Sequence, residues 1–403
     1  MKSIVLYLHA HQPLRVKPYT IFDAGNDHSY FNDATPGIDT NNQFIIDKVA
    51  GKSYLDTNRV LMDLLGKHPE FCLSLSITGT LIEQLEMYRP DVLDSFKQLV
   101  GTGRVEIVGE TYYHSLAFFY SVEEFEAQVR QHAEKVQQIF NVTPTSFRNT
   151  ELSYNNDLAK WADSAGYKAI ITEGWDPILG WRSPNYVYRP INTSNIKLLM
   201  KNYKLSDDIA FRFSNRGWSE WPLTAEKFCQ WAYESDHGGD IINLFMDYET
   251  FGEHQWADTG IFDFLGAFPE KWLDMHECGF LTITEASQTL EAKDEVDIPQ
   301  TITWADNERD LTAWLGNAMQ QDAIKNIYQL SEKILSSGDH VLIDDWRRLQ
   351  TSDHFYYMCT KWFSDGDVHA YFSPYQSPYD AFRFYMNTYH DLKYRLAEKG
   401  IDS

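Results

Sequence analysis

The chain is short of positive charge and of cysteine, and it has no long apolar run. Against 58 acidic side chains it sets 35 Lys and Arg, giving a net charge of −23 and a pI near 4.9. Such a surface repels polyanions, which argues against nucleic acid or an anionic membrane as partner and leaves neutral ligands open. The four cysteines, Cys72, Cys229, Cys278 and Cys359, stand far apart with no CxxC spacing. Free buried thiols in a reducing, cytoplasmic setting are therefore expected rather than a disulfide framework. No stretch reaches the roughly 20 apolar residues that a membrane-spanning helix needs. The opening Met1-Lys-Ser-Ile-Val-Leu-Tyr-Leu8 is followed by no small-residue cleavage site, so it reads as a first strand and not a leader. Internal repeats and low-complexity tracts are also missing.

What is present is apolar and aromatic. With 403 residues, 43% hydrophobic and 15% aromatic, the chain has enough to bury a large core and to form one large domain with a smaller one. Strand-like and helix-like patterns alternate along it. Ser3 to Leu8, Phe71 to Ile77, Arg104 to Val108, Thr145 to Arg148 and Lys168 to Thr172 read as strands, with candidates at Ile196 to Met200 and Ile209 to Phe213. Helices are expected over Ser53 to Lys67, after Pro90, after the capping box Ser121-Val-Glu-Glu124 and from Thr224 to Glu234. The run Ile241 to Met246, bounded upstream by His237-Gly-Gly-Asp240, is short and apolar throughout, as in a strand buried on both faces. This alternation predicts right-handed βαβ crossovers and a closed parallel barrel, with an open doubly wound sheet as the competitor. After about Pro299 the pattern becomes helical over Asp310 to Leu335, Asp339 to Trp362 and Pro378 to Lys399. The expected division is a barrel over 1–299 and a helical bundle over 300–403.

Several of these strands end in polar clusters. The first gives His9 and His11, the third Glu110 and His114, the fourth Arg148 and Glu151, and the Ile241 strand Asp247 and Glu249. Around one parallel barrel all of them converge on the C-terminal rim, where barrel enzymes build their active sites. Each cluster alone has a plain explanation: a loop histidine pair, or carboxylates at helix starts favoured by the macrodipole. Asp247, directly after Leu244-Phe-Met246, is harder to explain so, because a carboxylate there loses solvation. Flanked by Met246, Tyr248 and Phe251 and near Glu249, it is expected to hold its proton tightly, while Arg148 is expected to keep Glu151 ionised. The loop Glu173-Gly-Trp-Asp-Pro-Ile-Leu-Gly-Trp181 offers Trp175 and Trp181 as sugar platforms or as ordinary packing.

His9-Ala-His-Gln-Pro13, Val105 to Leu116, Phe147-Arg-Asn-Thr-Glu-Leu152, Met246 to His254 and Trp304 to Asn317 together resemble, in order, the five sequence regions of glycoside hydrolase family 57. The resemblance implies a (β/α)7 barrel followed by helices and retaining chemistry on α-glucans. It implies Glu151 as nucleophile and Asp247 as general acid/base, with His11, Glu110 and Glu249 binding sugar; His9, Trp304 and Asp306 are further candidates. The Trp304 to Asn317 motif looks most like the α-amylase branch, with 4-α-glucanotransferase and branching enzyme as alternatives. Neither metal nor cofactor is expected. A zinc-dependent hydrolase or deacetylase using His9, His11 and a carboxylate such as Asp247 is the competing class.

Overall fold

The computed structural model describes residues 1–235, 239–361 and 368–401. Strand β1 (Lys2–Ala10) lies at the centre of a parallel sheet, between β2 (Leu73–Ile77) and β8 (Ile241–Asp247), with β3 (Val105–Ile107) beyond β2. A second run pairs β4 (Ser146–Arg148), β5 (Ala169–Glu173) and β7 (Lys197–Lys201), also in parallel. Two seams join the runs. A bridge between Gly109 and Phe147 links β3 to β4. At the other side Asn202 N–H donates to Asn243 C=O (2.9 Å), and the Asn243 side chain donates to Met200 C=O (2.8 Å), which ties β7 to β8. The ring β8-β1-β2-β3-β4-β5-β7 is thus the expected seven-stranded parallel barrel. Outside it, β6 (Val187–Pro190) runs antiparallel to β7, β9 (Cys278–Phe280) pairs with the start of β1, and β10 (Glu295–Val296) pairs with β6.

Burial explains why these segments are strands. All of β8 before Asp247 is buried, as a strand covered on both faces requires. In β2 the alternating serines are buried too, because Ser76 Oγ meets Tyr7 OH (2.5 Å) and Ser74 Oγ donates to Glu106 (2.8 Å). Helices Leu55–Lys67, Pro90–Gly101 and Val122–Phe140 turn the expected apolar faces inward. Ser121 caps the last of these, but the capping box is not completed: Arg347 takes up the Glu124 carboxylate at 2.8 and 3.1 Å. After residue 299 come helices Ala318–Gln329, Ser331–Ser336, His340–Arg348, Ser352–Tyr356 and Pro378–Glu398. Their core, with Trp314, Trp346 and Leu392, also takes in Phe147, Ile170 and Leu198 from β4, β5 and β7.

Other expectations need correction. Ile209 to Phe213 is no strand: Asp208–Arg212 is a helical turn, held by Arg212 Nη1 donating to Asp208 (2.6 Å), with Ile209 and Phe213 buried and Phe211 turned out. Apolar residues two apart mimic a strand, while the ends of the same run, four apart, suit one helical face. The polar stretch after His9 hides helix Asn42–Val49, capped by Asn41. The run read as one helix from Asp339 breaks at Leu349 to Thr351, where Thr351 bridges to Ser115 of the barrel. Its expected end, Trp362, lies outside the described residues, as do His237 and Gly238 before β8.

Candidate active site

The register of β1 on β8 sets His9 beside Asp247, so the barrel's C-terminal rim begins with a histidine and a carboxylate on neighbouring strands. His9 Nδ1 is 3.7 Å from Asp247 Oδ1, and its Nε2 is 3.1 Å from Glu110 Oε2. Glu110, just past β3, is wholly buried between His9, His114 (3.6 Å) and Arg148 Nη1 (3.4 Å). The rings of His9 and His114 stack with centroids 4.9 Å apart, and the His11 ring lies tilted against His114 at 4.1 Å. Asp353 closes the far side by meeting His11 Nε2 at 3.0 Å, while Thr78 Oγ1 meets its Nδ1 at 2.9 Å.

Glu151 follows β4 with its backbone in the left-handed region, φ +59°, and Leu152 does the same at φ +51°. Neither residue is glycine, so this conformation costs on the order of 1–3 kcal/mol each and persists only where the surroundings fix it. Three donors do so. Trp304 Nε1–H donates to Oε2 (2.8 Å), Ser352 O–H to Oε1 (3.1 Å), and His114 Nε2 lies 3.1 Å from Oε1. Burial alone would raise Glu151, but His114 above all, helped by the Trp304 N–H, holds it below the usual carboxylate range. Burial lowers His114, yet Glu110 and Glu151 more than reverse this and raise it to about 9, so it is a cation at neutral pH that donates to Glu151 and lies beside the Glu110 charge.

Asp247 departs from expectation. Burial pushes it up, but His9, His254 and Arg148 overrule burial and hold the carboxyl below its ordinary value. Its side chain keeps 41% of its surface open. The tightly held proton belongs to Glu249 instead, raised to about 8 by burial and by the neighbouring Asp247 charge, with Tyr54 OH donating to it. Arg148 likewise points at Glu110 and His9 rather than making a bond to Glu151.

A cleft of about 550 Å3 runs over this rim and is lined by His9, His11, His114, Glu151, Asp247, Glu249, Trp304 and Asp306 among others. Three expected binding residues stand differently. Glu110 is sealed beneath the histidines and does not face the cleft. Trp175 packs against the helical core, and Trp181, 79% exposed, stacks on Arg182 (4.9 Å) away from the cleft. The loop after β5 turns outward there through the short helix Asp176–Leu179. Asp306 lines the cleft, but His369 (3.2 Å) and Lys361 (3.2 Å) occupy its carboxylate. His114 lies in the cluster expected after the third strand, though it was given no role of its own; Ser352 and Asp353 were not foreseen, and their one sequence signal is the polar Gln350-Thr-Ser-Asp353 inside a helical pattern.

The zinc set of His9, His11 and Asp247 does not converge. Among the described residues the groups close enough to share an ion are His9, Glu110, His114 and His11, His114, Asp353. The first carries the Arg148 cation against it, which does not suit a divalent ion; in the second, His11 and Asp353 are hydrogen-bonded to each other and His114 Nε2 is turned to Glu151.

A parallel barrel whose rim gathers ionised and proton-bearing carboxylates under a cleft is the working layout of a barrel hydrolase. Residues 5–299 match the family model described as glycosyl hydrolase family 57. The chain belongs to that family and is a glycoside hydrolase. It is 41% identical over 368 residues to a Methanocaldococcus jannaschii protein named "Putative alpha-amylase", covering 89% of this chain and 78% of that one. It is 21% identical over 305 residues to alpha-amylase 1 of Dictyoglomus thermophilum, covering 73% of this chain and 41% of that protein's length. The solved family 57 branching enzyme of Pyrococcus horikoshii shares the fold at a TM-score of 0.70, with 14% identity, over 100% of this chain and 92% of that one.

Proposed function

We propose that the chain is a retaining α-amylase-like enzyme that cleaves α-1,4-glucans, with Glu151 as nucleophile and Asp247 as general acid/base. The observation that carries this reading is the three-donor cradle on Glu151. It keeps one carboxylate ionised and fixed in a backbone conformation that only its surroundings sustain. The names of the relatives support the substrate class.

In the first step Glu151 Oε attacks the anomeric carbon, the glycosidic C–O bond breaks, and Asp247 gives its proton to the departing oxygen. In the second, water adds to the anomeric carbon as the ester to Glu151 breaks, and its proton returns to Asp247. A free Asp247 below its ordinary value must gain its proton as substrate enters. Displacement of water by a neutral sugar raises Asp247 through desolvation, while Glu249, holding its own proton, adds no charge to that shift. His9 and His11 line the cleft as sugar-hydroxyl partners, Trp304 joins the cradle to it, and Glu110 acts from beneath by fixing the His9 and His114 rings.

The same reading divides the chain into a catalytic barrel, 1–299, and a helical part, 300–403, that lends Trp304 and Asp353 to the cleft and the buried Ser352 to Glu151. It needs no metal, so a chelator should leave turnover in place. No helix among the described residues is long and apolar enough to cross a membrane. With the acidic surface this supports a cytoplasmic enzyme whose partner is a glucan rather than nucleic acid or a membrane. The test is mass spectrometry of Asp247→Ala after brief exposure to an activated aryl α-maltoside. A sugar adduct on the peptide containing Glu151 is expected; an adduct on Glu249, or products of inverted configuration from the wild type, would sink the assignment.

A further inference from the structure

On the Asp247 side the cleft is walled by large aromatic side chains that leave much of their surface to solvent: Phe211 (66%), Trp256 (57%), Tyr371 (62%) and Phe372 (40%). A folded chain does not gather such rings along one wall of a cleft without a ligand to cover them. Each is placed by an identifiable device. Phe211 projects from the turn Asp208–Arg212 while Ile209 beside it is buried. Gln255 fastens that turn to the loop after β8, its Nε2 donating to Ala210 C=O (2.7 Å) and its Oε1 accepting from Ser214 N–H (3.1 Å). The next residue is Trp256, with Lys52 Nζ 5.3 Å from its ring centre. Lys52 can come so near because Gly252, at φ +105°, admits its backbone: a Cβ there would lie 1.9 Å from Lys52 O. Phe372 stands edge-on to His254 at 5.5 Å and to Tyr371 at 5.0 Å.

Position decides what the wall binds. The acid of a glycosidase protonates the leaving oxygen, so groups next to it face the departing part of the chain. The wall joins Asp247 through the loop that leaves the end of β8, which brings His254 and Trp256 to the cleft with Phe372 edge-on to His254, whereas the donors on Glu151 come from His114, Trp304 and Ser352. Glucose units present C–H faces that pack on aromatic rings and hydroxyl edges that need polar partners. Those partners stand at the rim, where Glu253 pairs with Lys48 (3.3 Å) and Lys52 (3.4 Å).

We propose that Phe211, Trp256, Tyr371 and Phe372 form the acceptor-side subsites of the cleft. There the leaving segment of an α-glucan lies before cleavage, and there a second glucan docks to compete with water. In that transfer the acceptor hydroxyl oxygen bonds to the anomeric carbon, the ester bond to Glu151 breaks, and the hydroxyl proton passes to Asp247. This rests on the proposed glycosidase reading and adds which substituents it handles and where.

The test compares kcat/KM for maltoheptaose, whose leaving segment crosses the wall, with kcat/KM for α-maltosyl fluoride, whose leaving fluoride does not. Trp256→Ala and Phe372→Ala in the full chain are expected to lower that ratio about tenfold, and Phe372→Tyr to restore it. With maltotriose added as acceptor, the same Ala variants are expected to need about fivefold more of it for half-maximal transfer. Trp181→Ala, removing an exposed ring outside the cleft, serves as the control. Ratios within about twofold of the wild type in both Ala variants, or an equal loss in Trp181→Ala, overturn the wall. A wild type that never transfers overturns its acceptor role, and one that releases no fluoride overturns the glycosidase reading beneath it.

Discussion

The two carboxylates proposed for the chemistry are held in opposite ways. Glu151 sits on strained left-handed backbone, gripped by a cationic histidine, an indole N–H and a hydroxyl drawn from three distant segments. Asp247 ends a regular strand, keeps 41% of its side chain open, and among the described residues has only His9 within ion-pair reach, at 3.7 Å. The contrast fits the proposed tasks. A nucleophile needs one protonation state and one position, whereas an acid/base must change state twice per turnover, and dense donors would lock it.

The largest effect should come from breaking that contrast at its strong end. Glu151→Ala is expected to lose at least about 10^4-fold in kcat on every substrate, because no leaving group replaces a missing attacker. Asp247→Ala should lose about 10^3-fold on starch yet keep most first-step activity on α-maltosyl fluoride, read as a burst of fluoride release. Comparable loss on both substrates in both variants would erase the distinction.

Thinning the cradle comes next. His114→Asn removes the cation that holds Glu151 down, so kcat should fall about 10^2-fold and the acidic limb of kcat/KM should move toward higher pH. Trp304→Phe, which keeps a ring and loses one N–H, should cost about tenfold with the same direction of shift. An acidic limb that stays in place in both would show that these donors do not set the Glu151 charge.

Glu110 reaches both corners, through His9 to Asp247 and through His114 to Glu151. Glu110→Gln is expected to lower kcat about tenfold and to shift both limbs of the pH profile, with KM nearly unchanged because Glu110 is sealed from the cleft. A rise confined to KM would return it to direct sugar binding.

The smallest effect on rate is expected at Glu249. Its folded value of about 8 exceeds the ordinary 4.5, so between those pH values the folded chain holds a proton that the unfolded chain has lost. Stability from this group is complete below about 4.5 and falls as pH rises through about 8. Glu249→Gln cannot ionise, so its Tm relative to wild type should climb across that window, while starch cleavage persists. Loss of starch cleavage in Glu249→Gln, with Asp247→Asn still active, would move the acid to Glu249.

Much of this protein was determined by the sequence alone. Short apolar runs ending in polar residues specified the barrel, and strand order then required His9, Glu110, Glu151 and Asp247 to meet at one rim, since parallel strands can end only on one side. The five ordered motifs carried the family. What the tertiary structure decided was environment. Which charge each carboxylate feels depends on groups hundreds of residues away: Asp353 and Ser352 come from a run whose helical period conceals the break that aims them, and Trp304 reaches Glu151 across 153 positions. Local flanks therefore misled for Asp247 and Glu249, where apolar neighbours raised the second and His9 held down the first. Trp175 and Trp181 failed for the same reason, because a loop's composition offers rings but not the direction in which packing turns them. Periodicity is a property of neighbours along the chain; a pKa and a cleft wall are properties of neighbours in space.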